Sequence, residues 1–123
     1  MDTLTKIDRF KARTKELTLR IIRFYQSLPK KDESNIIGKQ LLRSSTSVAA
    51  NYRAACRSRS EAEFYSKISI VVEEADETLF WLELIKESKI VQSGEIEYLM
   101  NESLEILKIA NSIRHQKKKN KIR

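Results

Sequence analysis

A set of side chains at alternating spacings of three and four residues opens the chain: Ile7, Phe10, Thr14, Leu17, Ile21, Phe24 and Leu28. All but Thr14 are apolar, and the period is that of an α-helix with one face turned toward a partner. Thr5 and Asp8 fit a capping box at its start. Pro29 disfavours helical backbone at Leu28, so the helix ends there and residues 30–35 form the first loop. The pattern predicts a second helix from about Ser34 to Arg57. Ile37, Leu41, Ser45, Val48, Tyr52 and Ala55 point inward on it, flanked by Leu42, Ala49 and Cys56. Ser60-Glu61-Ala62-Glu63 reads as another capping box, the Ser60 hydroxyl accepting from the Glu63 amide and the Glu63 carboxylate reaching back. The third helix then continues to about Ser88 through Phe64, Ile68, Val71, Ala75, Leu79, Leu82 and Ile85, with Lys86 and Lys89 suited to its C-terminal end. Gly94 interrupts the pattern with Ser93 as a cap, and a fourth helix carries Ile96, Leu99, Met100, Leu104, Leu107, Ala110 and Ile113.

Four helices with short connections pack most simply as an up-down-up-down bundle. The expected fold is therefore all-α, an antiparallel four-helix bundle over 1–115. Residues 116–123 have almost nothing to bury and read as a basic disordered tail. Two glycines and one proline in 123 residues argue against an all-β fold with many tight turns. A chain of this length can bury a core without disulfide or metal. The single cysteine, Cys56, has no partner for an internal bridge, and with no apolar signal segment the expected compartment is the cytoplasm. The longest apolar run, residues 79–82, is far short of the ~20 residues of a membrane span.

Charge is distributed unevenly along the chain. Residues 1–31 carry nine basic and three acidic groups, 32–60 five and two, 61–90 three and eight, and 91–123 seven and four, giving a net charge of +7. One element is acidic and the others are basic. Beside the apolar stripe of helix one runs a second: Lys6, Arg9, Arg13, Glu16, Arg20 and Arg23. Helix two repeats the motif with Lys39, Arg43, Thr46, Ala50, Arg53 and Arg57. Helix three reverses the sign with Ser66, Ser69, Glu73, Asp76, Phe80, Glu83 and Glu87, beside a line of Glu74, Glu77 and Trp81. Any one such stripe is ordinarily a solvated face. Together, opposite stripes are complementary between neighbouring subunits. The acidic face of helix three is thus expected to meet basic residues of another copy, through Glu73, Asp76, Glu77 and Trp81, with Asn51 as a register-setting amide or a satisfied structural one. The basic residues Lys6, Arg9, Arg13, Arg20, Arg23, Lys39, Arg43, Arg53 and Arg57, with Lys117, Lys118 and Lys119 of the tail, are the candidates for phosphate contact.

Catalytic chemistry finds little to work with. His115 is the only histidine, there is no Glu-x-x-His repeat for a di-iron site, and there is no cysteine pair for a metal. Gly38 and Gly94 stand alone, so no phosphate-binding glycine loop exists. The hydroxyl run Ser44–Ser47 reads as a closely packed helix face rather than a nucleophile. No enzyme, cofactor or metal is expected.

Three segments carry a family resemblance: Gln40-Leu41-Leu42-Arg43-Ser44-Ser45-Thr46-Ser47-Val48-Ala49-Ala50-Asn51-Tyr52, then Ser60-Glu61-Ala62-Glu63-Phe64, then Glu74-Ala75-Asp76-Glu77-Thr78 with Trp81-Leu82-Glu83-Leu84. Over residues 7–113 the chain resembles the bacterial four-helix-bundle proteins encoded in intervening sequences of 23S ribosomal RNA genes, to which the accessory variability proteins of retroelements are similar. The resemblance implies a left-handed bundle assembled as a homopentamer. For the retroelement relatives it also implies a basic surface that engages nucleic acid and a reverse transcriptase. Many members carry a proline in helix two and an acidic-glycine pair at its end, where this chain has Ala49-Ala50 and Ala55-Cys56, so helix two is expected to be straighter. Two functions stay open: an oligomer that binds RNA or DNA through basic helical surfaces, and an assembly scaffold or accessory subunit that binds an acidic protein partner such as a polymerase or reverse transcriptase.

Overall fold

The structure, a computed structural model, describes the backbone of residues 5–122 and the side chains of 5–117. It holds four helices: α1 Lys6–Gln26, α2 Asp32–Cys56, α3 Glu61–Glu87 and α4 Gly94–Ile122. No strand occurs among the described residues. α4 takes in most of the stretch read as a tail. The side chains of Lys118 and Lys119 lie outside the described residues.

Local chemistry places the ends. The Thr5 hydroxyl accepts from the Asp8 amide at 3.0 Å and the Asp8 carboxylate accepts from the Thr5 amide, closing the box that starts α1. Pro29 is followed by a shorter loop than expected, because α2 begins at Asp32. Asp32 and Glu33 occupy its first turn, where carboxylates complement the helix dipole. At α3 the expected box is half made: Ser60 Oγ accepts from the Glu63 amide at 3.0 Å, while the Glu63 carboxylate lies 4.0 Å from Arg59. Ser93 Oγ accepts from the Glu95 amide at 3.1 Å and caps α4. Lys89, just past the end of α3, has φ 59° and turns the chain in the left-handed region usually reserved for glycine.

α1 packs on α2 and α4, and α3 packs on α2 and α4; among the described residues the backbones of the diagonal pairs do not come close, and their side chains join in one central core. Partners across each seam are numbered in opposite senses. Phe10 meets Tyr52 and Thr18 meets Ser45 between α1 and α2. Arg13 meets Glu102 and Arg20 meets Glu95 between α1 and α4. Lys86 meets Glu97 and Lys117 meets Glu61 between α3 and α4. The centre of the core is mainly aliphatic, with Ile21, Leu41, Ile68, Leu82, Ile85, Leu99 and Ile106 fully buried, each contributing about 1.5–3 kcal/mol by burial.

Two inward stripes differ from expectation. In α3, Thr78 is fully buried, and Leu79 is only half-buried. In α4 the buried line is Ile96, Leu99, Ser103, Ile106 and Ala110, whereas Leu104 is 38% exposed and Leu107 half-buried. The continuous heptad passes through the small polar Ser103, and apolar residues on the adjacent face drew the sequence reading one step aside.

In α2 the buried face includes Ser34, Gly38, Ser44 and Ser45. A Cβ at Gly38 would stand 2.7 Å from the Tyr25 ring of α1 and 3.1 Å from Leu28 Cδ1, so α1 and α2 approach as closely as they do only because that side chain is a hydrogen. Gly38→Val is expected to destabilise the protein by about 2 kcal/mol through overpacking. The measurement is the urea midpoint, which falls with the slope of the transition unchanged.

Candidate nucleic-acid interface

The cationic stripes divide into residues that are used within the chain and residues that are not. Arg13 reaches from α1 to α4 and grips Glu102 with both arms of its fork, Nε to Oε2 at 2.7 Å and Nη2 to Oε1 at 2.8 Å. Hydrogen bonding to this carboxylate raises the Arg13 pKa above the ordinary arginine value, outweighing the opposing effect of burial. About two turns further on, Arg20 lies 3.4 Å from Glu95 and 3.7 Å from Glu16, with its guanidinium 4.2 Å from the centre of the Tyr98 ring. Arg43 bridges α2 to α3 through Glu74 at 2.9 Å and Glu77, and takes Gln40 at 3.0 Å. Lys117 stands 3.4 Å from Glu61 and 5.0 Å from the centre of the Phe64 ring.

Lys6, Arg23, Lys39, Arg53 and Arg57 are exposed and have no acidic partner among the described residues. Arg9 is exposed and is engaged by a neighbour. Lys39, Arg53 and Arg57 share the outer stripe of α2 with Ile36, which is 65% exposed. Residues 34–60 contain no Asp or Glu at all, so nothing on this stripe itself offsets its charge.

The acidic face of α3 also divides. Glu77, expected at a subunit contact, is committed within the chain: it takes Arg43 and accepts from Trp81 Nε1 at 3.0 Å. Asn51 Nδ2 donates to the Ser47 carbonyl at 2.9 Å and to Ser47 Oγ at 3.0 Å, both within α2. Glu73 and Asp76 are exposed with no cationic partner among the described residues. Between them and Glu83 stands Phe80, 49% exposed and edge-on to Trp81 with ring centroids 4.9 Å apart. Exposed α3 thus carries acids around an aromatic, and exposed α2 carries cations. Among the described residues no group of three or more His, Cys, Asp or Glu is placed to hold a metal ion, and no helix is long and apolar enough to cross a membrane.

The family profile described as "23S rRNA-intervening sequence protein" matches residues 9–112. Among solved structures the chain is similar to a protein of unknown function from the S23 ribosomal protein family of Bacteroides thetaiotaomicron VPI-5482. The two are 36% identical, with a TM-score of 0.79, over 85% of this chain and 97% of that one. Among curated proteins none matches.

A double-mutant cycle separates structural from available cations. Arg13→Ala with Glu102→Ala is expected to give a coupling of about 0.5–1 kcal/mol at low salt, since Arg13 is partly exposed. Screening should shrink that coupling in 1 M salt (order of magnitude of the screening length ~3 Å). A zero coupling in denaturant titrations at low salt overturns the assignment of Arg13 to the α1–α4 seam.

Proposed function

This chain belongs to the 23S rRNA-intervening sequence protein family, and on that premise we propose a self-assembling, non-enzymatic bundle that binds RNA or DNA through its basic helical faces. The helices run up-down-up-down with a left-handed twist, and copies associate as a ring of five. The observation that carries the reading is the outer stripe of α2, where Lys39, Arg53 and Arg57 are exposed without an intrachain acid. From Lys39 to Arg57 the helix rises about 27 Å, the length of roughly eight nucleotides of one strand. Guanidinium forks on such a stripe bind phosphate oxygens in pairs without reading base identity. Lys6 and Arg23 on α1 add charge on another face.

A second reading, a scaffold for an acidic protein partner, draws on the same cations. The exposed Glu73, Asp76 and Phe80 of α3 favour self-association in either case, because this acidic face matches the basic stripe of a second copy.

Binding to a structured RNA and to duplex DNA is expected to weaken linearly in log salt. The triple variant Lys39→Gln, Arg53→Gln, Arg57→Gln should lower the slope by about 2–3, whereas Arg13→Gln should leave it unchanged. Absence of binding at low salt by the assembled protein overturns the nucleic-acid reading in favour of the acidic partner. Separately, Glu73→Lys with Asp76→Lys is expected to reduce the mass seen by light scattering to that of smaller species. An unchanged mass removes α3 from the interface.

A further inference from the structure

We propose that the end of the bundle where α2 hands over to α3 is a binding site for a small amphipathic anion, an apolar chain bearing a carboxylate. A cavity of about 1020 Å³ opens there, where the start of α1 and the end of α4 flank the α2–α3 connection. This is at the upper end of the range for small-molecule pockets, about 300–1000 Å³. Its wall is formed by Phe10, Tyr52, Phe64, Ile109 and Ile113, with Cys56 beside them. Phe10 and Tyr52 meet edge to face with ring centroids 4.7 Å apart, fixing one side of the wall.

The mouth is of a different chemistry. Lys6, Arg59, Lys108 and Lys117 belong to the lining, against Glu61 as its one carboxylate; just outside it, Glu63 lies 4.0 Å from Arg59 and Glu105 3.6 Å from Lys108. Glu61 is already taken by Lys117, and that lysine lies along the Phe64 face. Lys6 has no acidic partner among the described residues. Burial pushes the Tyr52 phenol pKa well above its ordinary value, with Cys56 adding to the shift, so the wall stays neutral and does not repel an anion. An apolar wall behind a cationic mouth fits a ligand with an apolar body and an anionic head. A bare phosphate would leave the aromatic wall unused, and a cationic amphiphile would meet like charge. The lining contains none of Lys39, Arg53 and Arg57 and shares only Lys6 with the unpaired basic residues assigned to nucleic acid, so loss of nucleic-acid binding in the α2 triple variant leaves this site testable.

Cys56 is the only cysteine in the chain and lines the cavity, so its reaction with N-ethylmaleimide reports occupancy. Dodecanoate below its micellar concentration is expected to slow the reaction saturably, by about tenfold at saturation. Dodecyltrimethylammonium should give no protection. Ser112→Trp, at an exposed lining position, should fill the mouth and abolish the effect of dodecanoate while circular dichroism shows the fold unchanged. Lys6→Glu with Lys108→Glu, both at exposed positions, should raise the half-protecting concentration about tenfold. Equal protection by the cationic detergent overturns the proposal, as does failure of dodecanoate to protect. Protection by phosphatidylglycerol vesicles alone overturns it in favour of a lipid surface, and protection that survives Ser112→Trp places the ligand elsewhere.

Discussion

The close approach of α2 to both of its neighbours is the constraint on which the rest of the bundle depends. It is made by what α2 lacks, since its buried face holds Gly38, Ser44, Ser45 and Ala55 where a typical core helix would hold larger side chains. Those small residues also bring hydroxyls into the core. Thr18 Oγ1 of α1 is 3.0 Å from the Ser45 carbonyl, and Thr78 Oγ1 of α3 is 2.9 Å from Ser44 Oγ. Thr78 also lies 2.8 Å from the Glu74 carbonyl and Ser44 3.1 Å from the Leu41 carbonyl, so each hydroxyl proton has an acceptor to choose. Such bonds contribute only about 0.5–1.5 kcal/mol each in place. Their larger effect is on alternatives: sliding α2 by one turn would press Gly38 and the hydroxyls against the wrong partners, leaving cross-helix donors or acceptors unmet at about 1–3 kcal/mol apiece.

Fixing α2 in this register also fixes which of its faces is left for water. With Leu41, Val48, Tyr52 and Ala55 turned inward, Lys39, Thr46, Ala50, Arg53 and Arg57 must turn outward. Arg43 sits toward α3 and is drawn into the seam by Glu74 and Glu77. The same sorting acts on α1, where Arg13 and Arg20 face carboxylates of α4 and Arg23 does not. Packing therefore decides which cations are available to a partner. A net charge of +7 is then a surface property concentrated on particular faces, with a repulsive cost that a polyanion or an acidic face would relieve.

The helices, and the hydroxyl caps at the starts of α1 and α3, were legible because the signals are local. Thr5 with Asp8 and Ser60 with Glu63 lie three residues apart, within reach of one turn. The inward face of α4 was not, because Met100, Leu104 and Leu107 make a second apolar strip beside the true one, and Ser103 looks like a break in the heptad. Only the facing helices show that a side chain this small is buried there, its hydroxyl without a hydrogen-bond partner among the described residues. Thr78 was passed over for Leu79 on the same ground: a hydroxyl counted as polar is at home in the core when Ser44 lies opposite. The charged stripes were readable from spacing, but their use was not. Arg13 and Glu102 are 89 residues apart, and nothing in either segment alone announces the pair.

The two uses proposed for the outer α2 cations would compete, and the geometry limits how that competition could be settled. An arginine whose fork is filled by a carboxylate of another copy has few donors left for phosphate. At about 4 Å an ion pair near a protein surface is worth about 4 kcal/mol in raw Coulomb terms, before the desolvation cost that reduces it. A ring joined by Glu73 and Asp76 against Arg53 and Arg57 would therefore hide the stripe proposed to bind nucleic acid. Contact through Phe80 at the centre of the α3 face changes this balance. An exposed aromatic can supply the contact area apolarly, so the flanking acids need engage only some of the α2 cations. Lys39 lies 14 residues before Arg53, about 21 Å along the helix. That is too far for the same pair of acids to reach both. Assembly and polyanion binding can coexist on α2 only by dividing the stripe along its length, one end facing the neighbouring copy and the other facing outward.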